Sequence, residues 1–160
     1  MRYVIYILFL TLFVGCAPKV QIEKSQSYLV TFKTKKFAYR DTGFLKKADG
    51  YLNLQIFAMG NLLMNLTLDK RDDRVCINRY CFDKDVFNQT YLSRYYPHDI
   101  LENILNSRAI FKGKNLKETK RGFIQKIKKS KKYDIKYIVT DKRIFFKDTL
   151  NKIIVSLKSL

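Results

Sequence analysis

Two stretches of this 160-residue chain alternate apolar and polar side chains with a period of two. The first contains Leu52–Ile56 and Leu62–Leu68, and the second contains Asp134–Thr140, Arg143–Lys147 and Lys152–Leu157. This alternation is typical of β-strands with one buried face, whereas amphipathic helices repeat their apolar residues every three or four positions. The chain is therefore predicted to be mostly β (α+β), with about seven or eight antiparallel strands curled around an apolar face.

Short loops that end in glycine predict which strands pair. With Asp41–Gly43 as a three-residue loop, Phe32 faces Leu52, and with Ala58–Gly60 as another, Leu52 faces Leu66. Both loops place glycine third, where hairpins of this length need a left-handed residue. A slip of one residue would set apolar side chains against polar ones.

The remaining turns extend the same register argument. A four-residue loop after Leu68 sets Leu68 opposite Val75. Near the end of the chain, a tight turn sets Tyr137 against Phe146, and the next loop sets Phe146 against Ile153. We therefore expect a second antiparallel meander in the last part of the chain.

A short helix is predicted between the two β regions. Pro97–Asp99 opens it, because proline suits the first helical turn and a carboxylate suits the positive helix end. Ile100, Leu101, Ile104 and Leu105 then share one face of the helix.

The predicted pairing gathers one set of apolar side chains on the concave face of the sheet. This lining suits an acyl chain, because hydrocarbon needs no polar partner. The alternative is a closed core with no cavity. On the outer face, a second stripe is either covered by a helix or exposed as a binding strip. The concave set is Phe32, Leu54, Ile56, Met64, Leu66, Ile77, Tyr137, Phe146 and Val155, and the outer stripe is Ile138, Phe145 and Ile154.

The first sixteen residues are typical of an export signal. Arg2 precedes about a dozen apolar residues and then Gly15 and Cys16, a run too short to span a bilayer. The ending Leu12–Cys16 resembles the lipobox of bacterial lipoprotein signals, which implies cleavage before Cys16 and acylation of that cysteine. An ordinary signal peptide cleaved after Ala17, or a short membrane anchor, is the alternative. We expect a signal peptide over 1–15, a lipidated tether over 16–26 and a single domain over 27–160.

The chain is strongly basic, with a formal net charge of +18. This charge attracts anionic lipid, acidic protein or nucleic acid. An exported chain rarely meets nucleic acid, so lipid headgroups are the expected partner; the alternative is a solvated basic face. The candidate contacts with an anionic surface are Lys126, Lys128, Lys129, Lys131 and Lys132.

Cys76 and Cys81 are the two thiols that remain once Cys16 carries lipid. An oxidising compartment favours a disulfide between them. Bridged Cα atoms lie within about 7 Å of each other, so a bridge needs a turn at Asn78–Tyr80. The sequence leaves both the bridged and the free pair open.

No catalytic or metal-binding motif is present. The chain lacks a glycine-rich phosphate loop, a zinc-binding histidine pair, a calcium loop and a nucleophile elbow. His98 is the single histidine and has no serine or cysteine nearby in sequence. We therefore predict a protein that is not an enzyme and that uses no metal and no cofactor.

The loop between the two apolar strands is a candidate membrane-contacting tip. Its register puts Met59 at the apex, between Phe57 and Gly60, where a polar residue is usual. An apolar tip beside a basic surface can enter a membrane or contact a lipidated partner. The alternative is that Met59 folds back onto its own sheet.

These features together resemble the outer-membrane lipoprotein receptor family LolB, within the LolA/LolB-like fold. The lipidated cysteine matches, and the hairpin over Leu52–Leu68 looks like the family hairpin with a Pro-Leu-Gly-type tip, here Ala58-Met59-Gly60. The segment Tyr96–Leu105 resembles the family's proline-containing helix. The resemblance implies an incomplete antiparallel barrel with one or two short helices covering its open side.

The same resemblance implies a function. It is that of a protein held by lipid on the periplasmic face of the outer membrane, which accepts acylated lipoproteins from a periplasmic carrier and delivers them to the membrane. Phe57, Met59 and Gly60 would then form the insertion tip. The alternative is an accessory envelope-assembly or surface lipoprotein, which binds lipopolysaccharide or an outer-membrane protein through its basic face.

Overall fold

The computed structural model describes residues 22–160. The predicted signal peptide over 1–15, the proposed lipidation site Cys16 and most of the predicted tether lie outside the described residues. The first strand begins at Lys24, so the last three residues of the predicted tether belong to the sheet instead. They extend the pairing with the second strand as far as Lys47.

Eleven antiparallel strands form one open sheet in the described part of the chain. Two short helices lie between the sixth and seventh strands, followed by a turn of 3₁₀ helix over Phe111–Gly113. The strands are β1 (Lys24–Lys33), β2 (Ala38–Ala48), β3 (Tyr51–Ala58), β4 (Asn61–Asp69), β5 (Arg74–Ile77), β6 (Tyr80–Asp83), β7 (Leu116–Thr119), β8 (Gly122–Lys129), β9 (Tyr133–Thr140), β10 (Arg143–Asp148) and β11 (Ile153–Ser159), and the helices are α1 (Lys84–Tyr91) and α2 (Ile100–Leu105).

The sheet consists of two meanders, which are joined by the pairing of the first strand, β1, with the last strand, β11. Its order is β6-β5-β4-β3-β2-β1-β11-β10-β9-β8-β7. The pairing of β1 with β11 places Phe32 beside Val155 and Val30 beside Leu157. This architecture confirms the predicted mostly-β fold with helices, and it contains more strands than the seven or eight expected.

The prediction of a loop at Asp41–Gly43 is wrong, because these residues lie inside β2. Phe32 therefore faces Tyr39 rather than Leu52. Gly43 is needed for close approach rather than for a turn: a Cβ at this position would meet the backbone carbonyl of Gln55. It would also lie 2.9 Å from a methyl carbon of Val30.

The β3–β4 hairpin keeps the predicted buried face but not the predicted register. Leu52 faces Leu68, two positions beyond the expected Leu66. The turn contains two residues, Met59 and Gly60, both with positive φ, as in the tight hairpin turns that match strand twist. A two-residue turn alone would put apolar side chains opposite polar ones. An irregularity in the pairing, which leaves Leu63 without a partner, restores the alternation.

The later registers are partly as predicted. Leu68 faces Val75 and Tyr137 faces Phe146, which confirms both pairings. Phe146 faces Val155 rather than the predicted Ile153. The cause is Asp148, which extends β10 by one residue. Its carboxylate accepts hydrogen bonds from the backbone N–H groups of Leu150 and Asn151 in the turn, so the loop lies one residue further along the chain.

The helices cover the concave side of the sheet. In α1, Phe87 is fully buried and its ring lies 4.9 Å from that of Tyr91, while α1 contacts β5 and β6. The predicted helix after Pro97 is present as α2, which approaches β10. The four predicted apolar residues of α2 are all buried: Ile100, Leu101, Ile104 and Leu105.

A disulfide joins Cys76 and Cys81 across the β5–β6 hairpin. The two residues are direct partners in the ladder, with Cα atoms 3.9 Å apart. The chain reverses at Asn78, which adopts a positive φ, within the segment where a bridge required a turn. The disulfide closes the edge hairpin on which α1 packs.

Candidate functional site

The nine predicted lining residues lie together on the concave face, and all of them are buried. They come from both meanders, so the β1–β11 pairing is what brings them into one cluster. The cluster consists of Phe32, Leu54, Ile56, Met64, Leu66, Ile77, Tyr137, Phe146 and Val155.

Side chains from the helical segment pack onto this cluster. Phe87, Ile104, Leu105 and Ile110 are all buried in the same core. The Tyr137 hydroxyl lies 3.5 Å from the carbonyl oxygen of Ile104, and burial raises the pKa of Tyr137. In this conformation the helices therefore close the concave face, and an acyl chain would enter only where α1 and α2 move away from the sheet.

Three pockets of the described region lie away from this cluster. Their volumes are about 540, 390 and 300 Å³, and none of the nine cluster residues lines them. The largest is on the β7–β8 hairpin, between Lys117 and Lys126. The second lies beside Lys47 at the end of β2. The third adjoins the β8–β9 turn.

The turn of the β3–β4 hairpin presents an exposed apolar surface. Met59 lies at the apex, as the sequence predicts, and Gly60 completes the turn. Of the two alternatives for its side chain, the structure shows the exposed one: Met59 is fully exposed and does not fold back onto the sheet. Leu62 and Leu63 are also exposed on the return strand. Phe57 is half-buried. We call these residues, together with Phe44, the apolar tip.

Phe44 is the member of the apolar tip that sequence reasoning missed. Its ring centroid lies 5.9 Å from that of Phe57, in an edge-to-face arrangement. Phe44 lies on β2, where its direct partner on β3 is Gln55, two residues before Phe57. Because residues 41–43 look like a loop, no sequence pattern places Phe44 beside the hairpin.

The five predicted anionic-surface lysines do not form one surface. Lys126 and Lys128 share the outer face of β8, whereas Lys129 alternates to the other side at the strand end. Lys131 lies in the β8–β9 turn. Lys132 is half-buried, with its Nζ 5.0 Å from the centre of the Tyr95 ring.

Charged side chains join the helical segment to the β4–β5 turn. Buried Lys84 contacts both Asp73 and Glu102, at 2.7 and 3.3 Å. Glu102 also lies 3.0 Å from the Nζ of Lys70. His98 contacts Asp73 through Nε2 at 2.7 Å. We call these five residues the charge cluster.

Contacts within the charge cluster shift several pKa values. Burial lowers the pKa of Lys84, but hydrogen bonds to Asp73 and Glu102 outweigh it, so the net shift is upward. The hydrogen bond from Lys84, followed by that from His98, lowers the pKa of Asp73. Lys84 and Asp73 are therefore both charged at neutral pH, and the cluster holds the helices against the rim of the sheet.

Comparison with models of known protein families and with curated protein sequences finds no match for this chain. Within residues 22–160, no group of three or more histidine, cysteine, aspartate or glutamate side chains is arranged to hold a metal ion. No helix in that range combines the length and the apolar character that crossing a bilayer requires.

Proposed function

We propose that this chain is a lipid-anchored outer-membrane lipoprotein that accepts acylated lipoproteins and delivers them to the membrane. The observation that carries the proposal is the fully exposed Met59, at the apex of a hairpin that projects an apolar tip. Exposed apolar side chains grouped at one turn lose contact with water when they enter a bilayer, and each large one contributes about 1.5–3 kcal/mol. Acylation of Cys16 would keep the tip close to that bilayer.

The concave face supports the second half of the proposal. Its buried cluster contains no ionised side chain and is wide enough to span both meanders, so it offers hydrocarbon-like surroundings to an acyl chain. Entry requires the helices to separate from the sheet. Such a movement breaks the ion pairs that Lys84 and Glu102 make with the β4–β5 turn, and the hydrogen bond from Lys47 to the carbonyl oxygen of Leu105.

The test is transfer of a fluorescent acylated lipopeptide from a soluble carrier into vesicles that hold the acylated protein. Met59→Glu places a charge at the apex and is expected to reduce transfer about tenfold or more, because the loss of one buried apolar side chain costs at least that factor. Gln89→Glu is the control, since it adds the same charge at an exposed position of α1, away from the apolar tip. Equal transfer by the two variants, both folded by circular dichroism, would contradict the proposal.

A closed core favours the second candidate function. All nine lining residues are buried, as expected for an accessory envelope lipoprotein that binds lipopolysaccharide or an outer-membrane protein through its basic surface. A fluorescent fatty acid separates the two candidates. Saturable binding that is lost when Leu54 is changed to Glu supports acyl transfer. Absence of saturable binding to the folded protein supports the accessory function.

A further inference from the structure

A row of lysines crosses the outer face of the second meander. Lys126 on β8 is the direct partner of Lys136 on β9, and Lys136 is the direct partner of Lys147 on β10. The row continues through Ile154 on β11 to Lys33 on β1. The four lysines are exposed, and neighbouring strands are about 5 Å apart. We call these four residues the lysine row.

The lysine row is unfavourable for folding. Like charges placed directly opposite each other in a sheet destabilise it. Within residues 22–160, the ion pairs include none of these four lysines. Asp134 is the carboxylate on the same face of β9, but its direct partner is Lys128. The row therefore concentrates positive charge that the fold does not neutralise.

An apolar row runs beside the lysine row on the same outer face. Phe145, Ile138 and Ile124 are direct partners across β10, β9 and β8, and each is half-buried. The helices lie on the opposite face of the sheet, so they do not cover this row. The guanidinium of Arg143 lies 4.4 Å from the centre of the Phe145 ring, which adds a fifth cation. Cationic and apolar rows side by side suit the boundary between headgroups and acyl chains.

We infer that the outer face of β8–β10 docks on an anionic lipid bilayer through the lysine row. Lysine acts as a point charge, whereas arginine binds individual phosphates in a bidentate way, so a row made of lysines fits a diffuse anionic surface better than a single phosphorylated ligand. Each lysine near such a surface adds roughly a factor of five to the attraction. The inference rests on the proposed attachment to a bilayer and is independent of acyl transfer.

The test uses the acylated full chain in vesicles and measures lysine acetylation by mass spectrometry. On vesicles that contain phosphatidylglycerol, acetylation of Lys126, Lys136 and Lys147 is expected to slow at least about tenfold relative to pure phosphatidylcholine, because four lysines together favour docking by more than that factor. Lys120 and Lys142, exposed in turns outside the row, are expected to react equally on both. Equal rates for the row lysines on both vesicles would overturn the inference.

A variant tests whether the row itself causes the protection. The triple change of Lys126, Lys136 and Lys147 to Gln is expected to abolish protection of Lys33 without lowering the melting temperature, since it removes like-charge contacts. The control changes Lys24, Lys120 and Lys142 to Gln, which removes the same charge and leaves Lys33 protected.

Protection of the row by soluble polyglutamate on phosphatidylcholine vesicles, without protection by phosphatidylglycerol, would indicate an acidic protein partner instead and overturn the inference. Acetylation reports docking even where Met59→Glu leaves transfer unchanged, so failure of one proposal is distinguishable from failure of the other.

Discussion

The ammonium of Lys84 lies 3.3 Å from the carboxylate of Glu102, and both side chains are buried between the start of α1 and the middle of α2. Removing one partner of a buried pair leaves an uncompensated charge. Glu102→Gln is therefore expected to lower the free energy of unfolding by about 2–3 kcal/mol, less than a fully isolated pair would lose, because Lys84 keeps Asp73. Urea denaturation measures this, with the exposed Glu118→Gln as control. A loss equal to that of the control would contradict the role given to the pair.

The contacts of His98 predict a dependence of stability on pH. Its two ring nitrogens face Asp73 and Asp85, at 2.7 and 3.1 Å. Burial lowers the pKa of His98, but the hydrogen bonds to Asp85 and Asp73 raise it by more than burial lowers it. The pKa of His98 in the folded protein therefore exceeds the ordinary 6.5. A raised folded pKa gives stability that is complete below the unfolded pKa and is lost as pH rises through the folded one.

The unfolding free energy is accordingly expected to fall as pH is raised from about 6 to about 8. His98→Gln should remove that decline. At the acidic side the sign reverses, because the pKa of Asp73 is lowered and its contribution disappears as pH falls through the folded value. Urea denaturation across the pH range measures both limbs, and an unchanged slope in His98→Gln would refute the assignment to His98.

Replacement of Gly43 in the middle of β2 is predicted to destabilise the domain more than replacement of Gly60. Gly43→Ala would place a methyl group against the Gln55 carbonyl and 2.9 Å from a methyl of Val30, which costs about 2 kcal/mol or more through overpacking. Gly60→Ala is the comparison, since open space surrounds it and only its positive φ resists a side chain, at about 1–2 kcal/mol. Thermal melting of the two variants should show the larger loss for Gly43→Ala. The opposite order would mean that β2 relaxes around the added methyl.

The disulfide between Cys76 and Cys81 is expected to stabilise the domain modestly. It closes a loop with a sequence separation of 5, and a loop this short contributes about 2 kcal/mol through the unfolded state. A reducing agent should therefore shift the urea midpoint of the wild-type chain and leave a Cys76→Ser, Cys81→Ser double variant unchanged. Insensitivity of the wild type to reduction would show that the thiols are unbridged in solution.

The sequence predicted those pairings in which turn chemistry and alternation point to the same register. Leu68 with Val75 and Tyr137 with Phe146 are such cases. The prediction missed β2 because this strand does not alternate apolar and polar side chains: Leu45 is its only large, fully buried apolar residue. Without that alternation, residues 41–43 were predicted to be a loop because they end in glycine, although Gly43 in fact allows β2 to pack closely against β3.

The candidate surfaces show the same limit. Met59 could be placed at the apex because its own hairpin is local in sequence, whereas the sequence leaves open whether its side chain is exposed. Phe44 could not be placed beside Phe57, since their contact depends on the missed strand. Lys33 shares a row with Lys126 only because β1 pairs with β11, a contact between the two ends of the domain that no local pattern encodes.

The pairing of β1 with β11 also determines when the sheet can be completed during biogenesis. A chain still emerging from the ribosome can form each meander locally, but β1 gains its second partner only when β11 has been synthesised. Until then its unpaired backbone edge is open to other chains. A stop codon or proteolytic cut before Ile153 would leave that edge permanently open, and such truncated chains would aggregate rather than accumulate as a smaller domain.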